Sequence, residues 1–293
     1  MLLLLALLAA VSAAPTLSPY AYSDTFARSK ILPMCAATDS SKPIDCLKNH
    51  FPAPQMRKHY NIACDKYKLD RCVGYSAVDH TDQAILLAFR GTDGDLQWVL
   101  ESEETVFGNH TAWVGGGLVS RYFAEAFMAI WNGGMKNDFI YLKNQNKDYQ
   151  VWIAGHSLGG AMASLAASYI VSTGLADGSS VRLVTFGQPR TGDQDWAIAH
   201  DKALPYSYRI VHNNDPIPHV PMQYLEKYHH HKTEVWYKNN MTSADSTAAS
   251  YDICREEDSL FCSDSIKKFA FHDHSVYFDQ EVWSWGEAGC PNS

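Results

Sequence analysis

Ser157 stands two residues from Gly155 and two from Gly159, in the stretch VWIAGHSLGGAMASL at 151–165. A serine hydroxyl acts as a nucleophile when a base takes its proton and the backbone holds it clear of its neighbours. Gly-x-Ser-x-Gly supplies the second condition: a strand that reverses sharply into a helix pushes the serine outward, and the flanking glycines remove side chains that would collide there. The first condition calls for a histidine, with a carboxylate to hold its tautomer and to stabilise the imidazolium. Asp215, in HNNDP at 212–216, and His272 and His274, in FHDHSVYF at 271–278, follow in the order serine, acid, histidine. That is the order expected for a serine carried on this kind of turn. The chemistry would be attack on a carbonyl carbon, which also needs two N–H donors for the oxyanion. Leu158, next after the serine, would supply one. Thr92, after the run Ala84–Phe89 and Arg90-Gly91, would supply the other.

These residues must be positioned by strands and helices that the same sequence encodes. Apolar, β-prone runs mark strands at Val73–Val78, Ala84–Phe89, Val151–Ala154, Val181–Phe186, Tyr206–Val211 and Glu234–Tyr237. Helical patterns cover Leu118–Trp131, Leu158–Ser172 and Gln194–Lys202. Strand-helix-strand alternation over 149–212 predicts an α/β fold, a mostly parallel sheet with helices on both faces. In such sheets, sites gather at the carboxyl ends of the strands. Asp215 follows the end of Tyr206–Val211, so it falls on the same rim as Ser157. Residues 14–65 read as short helices wrapped around the edge of the core.

Composition narrows the setting. MLLLLALLAAVSAA, at the start, is too short to cross a bilayer and ends in small residues, as a secretory signal does. Residues 1–13 are therefore expected to be a signal peptide, and 14–293 a single domain that is secreted, without a transmembrane anchor. The net charge of −8, with no block of Lys or Arg, argues against nucleic acid as a partner. Seven cysteines in an exported chain point to disulfides with one thiol left over. Cys64/Cys72 and Cys254/Cys262 have the spacing of hairpin staples. A bridge from Cys46 to Cys290 would tie the ends together, but the connectivity of Cys35, Cys46 and Cys290 stays open. Asn109 and Asn240 begin glycosylation sequons. His229-His230-His231 and the His272/His274 pair lack the helical spacing of metal ligands, so no metal and no cofactor is expected. The histidine run reads as a surface loop.

Five segments together resemble the class 3, or fungal-type, lipases and their secreted nematode branch: LLAFRGTDGDLQW, VWIAGHSLGGAMASLAA, LVTFGQPRTGD, RIVHNNDPIPHVP and HDHSVYF. The resemblance implies an α/β-hydrolase fold with Ser157 as nucleophile, Asp215 as acid and His274 as base. His274 is preferred to His272 because the family pattern is His-x-x-Tyr-Phe, met by His274, Tyr277 and Phe278. Thr92 takes the position of the family's small hydroxyl residue in the oxyanion hole. After it, Leu96, Val99 and Leu100 form one apolar stripe, with Trp98 outside it. The resemblance makes this segment a lid over the site and puts Trp98 at the family's lid tryptophan. The glutamate-rich run after Trp98 and the cysteine pattern depart from the fungal members. The implied activity is hydrolysis of carboxylic esters of lipids, triacylglycerols first, at an oil–water or membrane interface. A phospholipase A1 or a soluble feruloyl-type esterase would use the same scaffold, since acyl preference lies in groove shape. A non-catalytic lipid-binding relative would usually have lost one of the three residues.

Overall fold

The computed structural model describes residue 18 and residues 20–64, 71–91, 103–223, 227–242 and 250–292. The main sheet has eight strands whose spatial order follows the chain. They are β1 (Pro54–Ala63), β2 (Arg71–Asp79), β3 (Ala84–Phe89), β4 (Gln150–His156), β5 (Val181–Phe186), β6 (Ser207–His212), β7 (Glu234–Tyr237) and β8 (Asp252–Cys254). Strands β3 to β7 run parallel, and antiparallel strands complete both edges. This is the mostly parallel α/β sheet expected from the alternation of runs. Its central strands are largely buried and mostly apolar because both faces are covered.

Strand β3 shows how one run serves two cores. Ile85, Leu87 and Phe89 belong to the core on one face, and Ala84, Leu86 and Ala88 to the core on the other. That division is the two-residue period of a strand. Helices Arg121–Ile130 and Leu158–Ser172 pack on the first face through Phe123, Phe127, Ala161 and Leu165. The second face is covered by the two ends of the chain, through Ile31, Leu32 and Leu47 near the start and Trp285 near the finish. A disulfide from Cys46 to Cys290 joins those ends. Cys64–Cys72 and Cys254–Cys262 close the two short loops, and Cys35 is a buried free thiol. Each short loop removes roughly 2–3 kcal/mol of unfolded-chain entropy.

Three expectations are corrected. Residues 14–65 do more than wrap an edge with short helices, since Pro54–Ala63 is a ten-residue strand at the sheet's border. Its sequence, PQMRKHYNIA, shows no apolar run because an edge strand is mostly solvated, and a bulge between Met56 and Lys58 breaks its alternation. The helix expected over Leu118–Trp131 begins at Arg121. Leu118–Ser120 is instead a strand that pairs with His110–Ala112 and meets Gly192. The Ser120 hydroxyl caps the helix by accepting from the Phe123 N–H, which stops helix from extending backward. Finally, His230 and His231 are buried rather than on a surface loop.

Candidate active site

Ser157 joins β4 to the helix Leu158–Ser172 with φ 57° and ψ −131°. A non-glycine residue there costs on the order of 1–3 kcal/mol, so the surroundings must impose the conformation. They do so from both sides. The Ser157 N–H donates to the Phe186 carbonyl at 2.9 Å, and the Gly160 N–H donates to the Ser157 carbonyl at 2.9 Å. The glycines let the chain turn this tightly. A Cβ on Gly155 would lie 2.1 Å from the Gly159 carbonyl oxygen, and one on Gly159 would lie 2.2 Å from the Phe89 oxygen. Gly155→Ala is therefore expected to destabilise the fold by about 3 kcal/mol, the upper range for overpacking. That would lower the thermal midpoint by roughly 5–10 °C. An unchanged midpoint would mean that the turn is looser than these distances require.

Asp215 projects from the loop after β6, and its Oδ1 accepts from the Ile217 N–H at 2.9 Å. His274, on the short helix Phe271–Ser275, places its Nδ1 2.9 Å from Asp215 Oδ1 and 2.8 Å from Oδ2. A carboxylate only accepts, so Nδ1 carries the proton and Nε2 faces away with its lone pair. The Tyr277 hydroxyl donates to Asp215 Oδ2 at 2.8 Å. Asp215 and His274 are both fully buried. Burial alone would push the Asp215 carboxyl up. The His274 imidazole and the Ile217 and Tyr277 hydrogen bonds together outweigh this and hold it below the usual carboxylate value. His272, by contrast, is exposed.

The His274 loop is held by residues whose contacts the sequence did not reveal. His156, beside Ser157, donates from Nε2 to the His274 carbonyl at 2.8 Å, and its ring lies 4.5 Å from the His274 ring. Burial and the neighbouring His274 push the His156 imidazole down to about 3, so it is neutral at ordinary pH. His212 Nδ1 donates to the Asp273 carbonyl at 2.9 Å, and the Asn214 N–H donates to Asp273 Oδ2 at 3.0 Å. Gly187, with φ 55°, passes so close that a Cβ would sit 2.6 Å from His274 and 2.8 Å from Asp215 Oδ2. The only sequence signal for His156, Gly187 and Tyr277 was their position inside the quoted motifs.

Ser157, Asp215 and His274 are thus gathered at one rim, through His156 and the Phe186-Gly187 turn. No Ser157–His274 hydrogen bond is formed. His274 Nε2 is buried and has no partner among the described residues. Such bonds are commonly long before substrate binds. Leu158 begins its helix and is buried, with its N–H in the first turn, where no intrahelical acceptor exists. Thr92 and the residues expected to form a lid, Leu96, Trp98, Val99 and Leu100, lie outside the described residues. Asn109 and Asn240 are exposed. His200, Asp201 and His231 bring ligand-type atoms within 4.8 Å of one another. Both His231 nitrogens are engaged, Nδ1 with the Lys232 carbonyl and Ser207 and Nε2 with Gln188, whereas both nitrogens of the buried His200 and Asp201 Oδ2 have no hydrogen-bond partner among the described residues.

A mostly parallel sheet with a serine on a glycine-flanked turn after a central strand defines an α/β-hydrolase. Residues 86–225 match the profile of the family described as lipase (class 3). A Caenorhabditis elegans protein named lipase ZK262.3 is 33% identical over 302 aligned residues, covering 93% of this chain and 84% of that protein. The secreted mono- and diacylglycerol lipase A of Penicillium cyclopium is 34% identical over 180 residues, 60% of this chain and 55% of its own. Among solved structures, the lipase of Rhizopus microsporus var. chinensis superposes with a TM-score of 0.67 at 27% identity, covering 84% of this chain and 79% of that one. The chain belongs to the class 3 lipase family, and it is a carboxylic ester hydrolase acting on lipid esters. No helix among the described residues is long and apolar enough to cross a membrane.

Proposed function

We propose that this lipase is secreted and hydrolyses glycerol esters, triacylglycerols foremost, through Ser157, His274 and Asp215. The observation that carries the reading is the buried His274 ring, bonded through Nδ1 to both Asp215 oxygens, with Nε2 left unpartnered beside the strained Ser157 turn. As Ser157 Oγ attacks the ester carbonyl, His274 Nε2 takes its proton. The tetrahedral oxyanion is held by the N–H groups of Leu158 and Thr92. His274 then protonates the departing glycerol oxygen, leaving Ser157 acylated. Water, deprotonated by the same nitrogen, attacks the acyl carbon and frees the fatty acid and the serine. Asp215 stays ionised and stabilises each imidazolium. The secreted Penicillium relative and the apolar opening stretch support export. Exposure of Asn109 and Asn240 suits glycosylation on the way.

In this reading residues 93–104 form a lid that closes the groove in water with the Leu96/Val99/Leu100 stripe. Exposing three such side chains in water costs several kcal/mol at ~25 cal/mol per Å2, and a lipid surface offsets that cost by covering the same area. The test compares tributyrin, long-chain triacylglycerol, phosphatidylcholine and a dissolved aryl ester. Both triacylglycerols should be cleaved, and tributyrin hydrolysis should rise sharply above its solubility limit. Trp98→Ala should blunt that rise more than it slows hydrolysis of the dissolved ester. Cleavage confined to phosphatidylcholine would replace the reading with a phospholipase A1. Activity on the aryl ester alone, with no break at saturation, would replace it with a soluble esterase.

A further inference from the structure

One surface departs from the acidic, polar character of the chain. Leu260 and Phe261 are 76% and 88% exposed, the most exposed large apolar side chains among the described residues. They sit in the loop closed by Cys254–Cys262. Nearby, in the run IKKFAFH at 266–272, Lys267, Lys268, Phe269, Phe271 and His272 are all exposed.

The two segments hang on one rigid node. The Arg190 guanidinium pairs with Asp258 at 2.9 Å and Asp264 at 3.1 Å, clamping the chain on either side of Leu260-Phe261. Asp264 also lies 3.1 Å from His219 Nδ1, and the Phe269 ring lies 5.6 Å from the His219 ring. A floppy loop could fold its apolar residues inward, whereas this braced one holds Leu260 and Phe261 in water. The surface also adjoins the active-site rim. The Ala270 N–H donates to the carbonyl of Asn214, the neighbour of Asp215, and Phe271 opens the helix that carries His274.

Charge indicates what fits there. The acids of this region are largely committed: Asp258 and Asp264 to Arg190, and Glu257 to Lys232 at 3.9 Å. Glu256 is exposed, next to exposed Arg255 in the chain. Lys267 and Lys268 are exposed, take part in no ion pair among the described residues, and lie between exposed aromatic side chains. Aromatic rings that seat at a headgroup boundary beside lysines that meet anionic headgroups are the two terms of binding to a charged lipid surface.

We propose that Leu260-Phe261 and residues 266–272 form a docking surface for anionic lipid, separate from the lid, that seats the rim of the active site on the interface. The choice of lipid as occupant rests on the lipid-ester reading above. The test uses the full chain carrying Ser157→Ala, so that vesicles are not consumed, in sedimentation with phosphatidylcholine vesicles and with vesicles also containing phosphatidylserine. The parent should bind the phosphatidylserine vesicles more tightly, by about fivefold per lysine. Leu260→Ser with Phe261→Ser should weaken binding to both vesicles by about tenfold or more. Lys267→Ala with Lys268→Ala should abolish the preference for phosphatidylserine and leave binding to phosphatidylcholine. With Ser157 intact, both double variants should keep the parent's thermal midpoint and its rate on a dissolved aryl ester, since these side chains are in solvent. Failure of the parent to bind either vesicle, unchanged binding by the apolar variant, or a phosphatidylserine preference that survives loss of both lysines would each overturn the proposal. Because sedimentation needs no catalysis, docking by a protein that cleaves no ester would overturn the proposed mechanism alone.

Discussion

Ser157→Ala is expected to lower kcat for ester hydrolysis by roughly four orders of magnitude or more while leaving the fold intact. The substitution removes one oxygen and keeps the Cβ, so the conformation at φ 57° and the 2.9 Å bond from residue 157 N–H to the Phe186 carbonyl persist. What disappears is the covalent route. Oxyanion stabilisation and substrate positioning survive and can support only a residual rate. The measurement is kcat on tributyrin and on a dissolved aryl ester, with the thermal midpoint as the control for folding. A variant that keeps more than a tenth of the parent kcat would remove Ser157 from the reaction.

The second large effect separates two histidines that are two residues apart. His274→Ala is expected to match the Ser157 loss, because it deletes the base and leaves the buried Asp215 without the Nδ1–H hydrogen-bond donor at 2.8–2.9 Å. His272→Ala should change kcat by no more than a few-fold, since that side chain is exposed and makes no contact with Asp215. Asp215→Asn should fall close to the His274 result, at about 10^4. An amide would offer its NH2 or its carbonyl to Nδ1 and could then hold the imidazole with its proton on the wrong nitrogen. Asp273, the nearby carboxylate, accepts from the Asn214 N–H, which limits its ability to substitute. Parallel kinetics on the three variants check the ranking. The reverse order for the two histidines would shift the base to the exposed loop surface.

Much of this molecule was legible before any coordinates. Ala84–Phe89, Val181–Phe186 and Glu234–Tyr237 are strands with the bounds read from their apolar runs, and Leu158–Ser172 is a helix with the bounds read from its small-residue pattern. Such runs are local consequences of burial on both faces of a parallel sheet, so side-chain type alone reports them. The same holds for the glycines around Ser157, where a close backbone approach excludes any Cβ, and for the cysteine pairs that close short loops.

What only the tertiary structure decided are relations between segments that the sequence keeps apart. Pro54–Ala63 is a strand because β2 lies beside it, although its own residues are too polar to show a run. His230 and His231 are buried because the Pro218 carbonyl and the Gln188 side chain come to meet their rings, in place of the solvent a histidine run ordinarily faces. His156, Gly187 and Tyr277 converge on His274 and Asp215 from three separate strands and loops. Residue type along the chain records which side chains must leave water. It does not record which partners they find, because a hydrogen bond or a van der Waals contact is set by positions in space, and those are fixed only when distant segments pack together.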